Sequence, residues 1–146
     1  MYHYTDSGLD NIYLINGFIK SKTVYGEAVA IDDIDGLHKT IGQWLVNEPT
    51  ALTGAKLRFL RHELDLSQKA LGSLMGKSEQ AVRRWEKVGT KPIDPIADRF
   101  VRIIYCAKVA GNVEVTELID KLAAADQAEA TECRLVETDG RWRIAA

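Results

Sequence analysis

This chain of 146 residues holds only two cysteines, three prolines and three histidines. Cys106 and Cys133 stand far apart, with no CxxC and no Cys/His cluster. Neither a zinc site nor a disulfide framework is expected, and both are read as free thiols. His3, His38 and His62 have no acidic or thiol neighbour at metal-site spacing. There is no G-x-S-x-G, P-loop or HExxH, and no constellation of acid, base and nucleophile emerges. The expectation is a protein that is not an enzyme and needs no cofactor or metal. No stretch reaches the ~20 apolar residues of a membrane span, and no basic segment followed by an apolar run opens the chain. A cytoplasmic protein is expected. Internal repeats and low-complexity tracts are also missing.

What the chain has is an uneven distribution of charge around a formal net value of −2. From Thr53 to Lys91 nine bases face four acids, a balance of +5. Residues 1–52 carry three bases against seven acids, or −4, and Asn112 to Asp139 carry two against eight, or −6. A basic middle between acidic flanks is the footprint expected when only the middle meets phosphate.

The organisation follows from local signals. Asn11 to Phe18 and Thr23 to Ile31 are rich in β-branched and aromatic residues, punctuated by Asn16-Gly17 and Gly26, and predict two antiparallel strands. Asp33 then caps a helix with Ile34, Leu37, Ile41, Trp44 and Leu45 on one face. Residues 1–50 therefore form a small ββα region that docks either on the rest of the chain or on a partner. After the break at Pro49-Thr50, a helix from about Thr53 places Leu57, Leu60 and Leu64 inward. Ser67 caps a second helix with Ala70, Leu71 and Leu74 inside. Gly76 fits a left-handed turn residue, and Ser78 caps a third helix with Ala81, Val82 and Trp85 inside. A fourth helix from Pro95 to about Ala110 is apolar on two sides, Phe100, Val101 and Ile104 on one and Ile103, Ala107 and Ala110 on the other. The second side is either deeper core or a dimer surface. A fifth helix runs from about Val115 to Ala125. A hinge is placed at 123–130, and Asp139-Gly140 predicts a C-terminal hairpin. The domains are then 1–50, 51–126 and 127–146.

Two helices joined by a tight turn, the second presenting a polar and basic face, are how a chain builds a helix-turn-helix reader of the DNA major groove. By helical spacing Gln80, Arg84 and Lys87 share the outer face of the third helix, with Arg83 at its edge. Gln80 suits bidentate pairing with adenine and Arg84 with guanine. Gln68, next to the Ser67 cap, lies at a helix N-terminus, where amides and dipole favour phosphate; Ser78, the cap of the third helix, is small enough not to obstruct the approach and is counted with the DNA-backbone residues. Lys69, Lys77, Arg83 and Lys87 suit contacts to the DNA backbone, which position without specifying.

The run LSQKALGSLMGKSEQAVRRWE, with Ser67-Gln68 spaced ahead of Arg84-Trp85-Glu86, resembles the Xre/lambda-repressor-like helix-turn-helix family from about Leu52 to Tyr105. Within it the chain looks most similar to MqsA-like antitoxin repressors, through Arg84-Trp85-Glu86 followed by Pro92, Pro95, Phe100 and Arg102. Ile34-Asp35-Gly36-Leu37 resembles their segment ahead of the helix-turn-helix, although their zinc-binding cysteines are missing. The resemblance implies a mainly α fold: a five-helix Xre-like domain with a small N-terminal ββα unit and a C-terminal β-hairpin. It implies a homodimeric repressor on a palindromic operator in double-stranded DNA, with Gln80 and Arg84 at the base-reading positions. An antitoxin would also bind a cognate toxin protein. The competing reading is a protein-interaction module on a helix-turn-helix scaffold.

Overall fold

Capping residues set the helix boundaries. The computed structural model describes residues 1–124 and 132–145, and among them places six helices and three two-stranded antiparallel sheets. Strand β1 (Tyr2–His3) pairs with β2 (Tyr13–Leu14), and β3 (Phe18–Thr23) with β4 (Gly26–Ile31). Helix α1 spans Ile34–Asn47, α2 Gly54–Glu63, α3 Gln68–Met75, α4 Glu79–Lys87, α5 Pro95–Val109 and α6 Val113–Ala124. Strands β5 (Leu135–Thr138) and β6 (Arg141–Ile144) form the last hairpin. The expected mixture of helices with small β units is present. Part of the expected hinge, from residue 125 onward, lies outside the described residues. No described helix is long and apolar enough to cross a membrane.

The N-terminal hairpin departs from the sequence expectation. Its first strand is Phe18–Thr23, not Asn11–Phe18, so Lys20, Ser21 and Lys22 lie within it and not between strands. The turn explains the register. Thr23 Oγ1 donates to Gly26 O at 2.8 Å and accepts from Tyr25 N at 3.2 Å, closing the chain tightly around Val24-Tyr25. The residues ahead of it, Tyr13–Leu14, pair instead with the chain's own start, Tyr2–His3. At the other end of the chain Asp139 and Gly140 have φ of 54° and 78°, the left-handed pair a two-residue type I′ hairpin demands.

Every predicted cap of the central helices is made. Gly36 N donates to Asp33, Ala70 N to Ser67 and Ala81 N to Ser78, at 3.2, 3.0 and 3.1 Å. Asp94 caps α5 through Ala97 N at 3.0 Å, with Pro95 at the first helical position. Ile93 N donates to Leu52 O and Gly54 N to Lys91 O, so the chain entering α2 runs beside the chain leaving α4.

A single core cluster joins the parts. Leu45 of α1, Leu57 and Leu60 of α2, Leu71 of α3, Val82 of α4 and Val101 of α5 are fully buried in it. Tyr4, Leu9 and Ile12 belong to the same cluster, so the N-terminal region docks on the helices of its own chain. Two expected inward residues of α1 are outside: Ile34 and Trp44 are exposed. Leu37, Ile41 and Leu45 form the row at i, i+4 and i+8 that meets the core; Ile34 opens the helix and Trp44 falls on its flank. On α5 the expected second side divides. Ala107 is buried, whereas Ile103 and Ala110 face solvent.

Arg102 and Asp98 close the α1–α2 connection. Asp98 accepts from Leu52 N at 2.8 Å and from Arg102 Nε at 2.5 Å. The Arg102 guanidinium also donates to the carbonyls of Val46, Glu48 and Thr50. Pro49-Thr50 is therefore a pinned corner of the molecule.

Candidate nucleic-acid interface

The α3–α4 corner is built by its small residues. Gly76 has φ of 68°, where a side chain is strained, and its N–H satisfies the end of α3. Helix α4 also packs against the start of α2 with no room to spare. A Cβ on Gly54 would stand 1.9 Å from the Trp85 carbonyl oxygen.

A buried ion pair fixes α4 to α2. Arg61, 8% exposed, donates from Nε and Nη2 to the two carboxylate oxygens of Glu86 at 2.7 and 2.8 Å, and from Nη1 to Leu66 O at 3.0 Å. Gln68 adds its amide to Glu86 Oε1 at 3.3 Å. Glu86 is thus held from α2 and α3 together, and the orientation of α4 is set by a forked, charge-assisted contact. Gln68 is the first residue of α3, next to its Ser67 cap as expected, but its side chain turns to Glu86 and is half-buried.

With Glu86, Ala81 and Val82 facing in, the other side of α4 is free. Gln80, Arg84 and Lys87 are exposed, and among the described residues none of their side chains has a hydrogen-bond or ion-pair partner within the protein. Arg83 is exposed too and pairs with Glu79 at 3.0 Å along its own helix. A surface depression of about 270 Å³ gathers Gln68, Arg83 and Lys87 with Arg58 and Arg61. Lys69 and Lys77 are exposed outside it, on the first turn of α3 and at the corner, and the Ser78 hydroxyl is engaged in its cap. The expected residues therefore fall into a rim of cations and an outward row, Gln80 and Arg84, one helical turn apart on one face of α4.

Two residues were missed by spacing arguments alone. Arg58 belongs to the depression although it entered the sequence reading only as a charge. Arg61 sits four residues after Leu57, on the apolar row of α2, and a charge on such a row needs a partner. That signal was legible; the identity of Glu86 as the partner was not.

Behind α2 lies a second polar arrangement that no motif announced. The Tyr4 hydroxyl and His38 Nε2 are 2.6 Å apart, and His38 Nδ1 and Glu63 Oε1 are 2.7 Å apart. His38 also packs on Phe59, with ring centroids 5.4 Å apart. Burial raises the Tyr4 pKa above its ordinary value of 10.0, with the negative charge of Asp6 pushing the same way. The phenol thus stays neutral and ties the N-terminal segment to α1 and, through His38, to α2. Among the described residues no three His, Cys, Asp or Glu side chains are grouped to hold a metal ion.

Comparison with protein-family models, curated proteins and solved structures finds no match to this chain.

Proposed function

We propose that the protein is a sequence-specific DNA-binding transcriptional repressor of the Xre-like helix-turn-helix type, acting as a homodimer on a palindromic operator. The observation that carries this reading is the α4 surface: Gln80 and Arg84 are exposed and have no side-chain partner among the described residues, on a helix locked from behind by Arg61–Glu86. An arginine and a glutamine on one face of a rigid, N-capped helix match the donor and acceptor edges of guanine and adenine in the major groove. Arg58, Lys69, Lys77, Arg83 and Lys87 supply the sequence-independent attraction to phosphate. In a dimer the two α4 helices stand about 34–36 Å apart, one turn of duplex.

A mobility-shift titration against the DNA upstream of its own reading frame, at several salt concentrations, tests the proposal. A sequence-selective, salt-sensitive shift is expected. Equal binding to every duplex, or none at low salt, overturns it.

One observation favours a second reading, a protein-interaction module. Val24 and Tyr25 at the β3–β4 tip, and Trp142 and Ile144 on β6, are strongly exposed apolar residues. A tight protein partner captured by the full chain, together with weak DNA binding, selects that alternative; an antitoxin would show a toxin as partner and operator binding as well.

A further inference from the structure

Between the N-terminal loop and the helices lies a cavity of about 520 Å³, within the roughly 300–1,000 Å³ typical of small-molecule sites. Ala55 and Phe59 give it an apolar floor, and the hydrogen-bonded His38 and Glu63 form part of its wall. Besides Glu86, four further lining residues carry ionisable side chains: Asp6 from the loop, Arg58 and His62 from α2, and Lys87 from the end of α4. Among the described residues none of these four has a side-chain hydrogen bond or ion pair. The other two carboxylates of the lining are engaged, Glu63 by His38 and Glu86 by Arg61. Two uncommitted cations, Arg58 and Lys87, therefore converge with one uncommitted anion, Asp6, over an apolar floor.

We propose that this cavity binds an acidic amino acid, a molecule with two carboxylates for Arg58 and Lys87 and one ammonium for Asp6. The complementarity is in charge type and number. A monocarboxylic amino acid leaves one cation unanswered, and a plain dicarboxylate leaves Asp6 facing like charge. Arg58 and Lys87 also line the depression that gathers Gln68 and Arg83 around the Arg61–Glu86 pair. On the DNA-binding reading, on which this consequence alone rests, the bound amino acid and operator phosphate compete for the same two side chains.

Calorimetric titration of the DNA-free full chain decides the site. L-Aspartate or L-glutamate is expected to bind at least roughly tenfold more tightly than its amide, L-asparagine or L-glutamine, and than succinate, the scale of one charge-assisted hydrogen bond. Asp6→Asn is expected to weaken the amino acid by a similar factor while sparing succinate, and Arg58→Ala to weaken both. No binding of either acidic amino acid overturns the site, and so does equal binding of the amides or indifference to both substitutions. Mobility shifts with added amino acid then test the competition, and undiminished operator affinity at saturation overturns it. Normal amino-acid binding by a chain that ignores DNA defeats the repressor reading and leaves the site standing.

Discussion

Arg61 and Arg84 are chemically identical and meet opposite fates. Arg61 is 8% exposed and forked onto Glu86, so truncating it strands a buried carboxylate. Arg61→Ala is expected to lower the unfolding free energy by about 3–5 kcal/mol in urea titration, the scale of a broken buried pair. Arg84 has no side-chain partner among the described residues, so Arg84→Ala is expected to leave the urea midpoint unchanged and, on the repressor reading, to relax base choice at one operator position by about 1–3 kcal/mol. Lys69→Ala, in contrast, is expected to weaken all sequences alike and to lower the salt slope by about 1. Equal losses for both substitutions on every sequence count against the division of roles. Tyr4 adds a dependence on alkali. Its folded pKa lies above the unfolded value of 10.0, so the folded state holds the proton longer. The stability this contributes is complete below pH 10 and is lost as pH rises through the folded pKa. Tyr105, raised chiefly by burial and then by the charge of Glu63, acts in the same direction. Unfolding free energy is expected to fall above pH 10, and Tyr4→Phe to flatten that fall.

At the scale of elements, what the sequence made legible was whatever depends on near neighbours. Ser67, Ser78, Gly76 and Asp139-Gly140 act within three or four residues of themselves, and each sits where its chemistry placed it. The β3–β4 register failed because Lys20-Ser21-Lys22 looks like a loop in isolation. It becomes strand only because Thr23 and Gly26 close the turn after it. Gly54 is a different kind of miss. Its lack of a side chain matters against the backbone of Trp85 and Val88, more than thirty residues away, and a single sequence carries no sign of that approach. Gly54→Ala has to push backbone off backbone, so a loss of about 1–3 kcal/mol is expected in urea unfolding. An unchanged midpoint shows that α4 is free to shift. For the candidate interface, helical periodicity put Gln80, Arg84, Arg83 and Lys87 on the open side of α4. It had no means of finding Arg58, which joins Arg83 and Lys87 in one depression from another helix.

At the scale of the whole molecule, residues 1–50 share the core of the helices that follow. Tyr4, Leu9 and Ile12 are buried with Leu45, Leu57 and Leu60, and Arg102 ties three carbonyls of the connecting corner to α5. One cooperative transition is therefore expected for both parts. Fluorescence from single-tryptophan variants retaining Trp44 of α1 or Trp85 of α4 should report the same urea midpoint, and separated midpoints reveal two independent units. The outer row of α4, without side-chain partners among the described residues, has an evolutionary corollary. Glu86, Ala81 and Val82 hold the helix from its inner side and Ser78 caps it, whereas the side chains at positions 80 and 84 make no hydrogen bond or ion pair among the described residues. On the repressor reading, substitutions there are expected to alter the preferred DNA sequence while leaving the framework as stable as before. If that reading holds, a lineage descended from this chain is free to drift to new targets by changing two letters at a time.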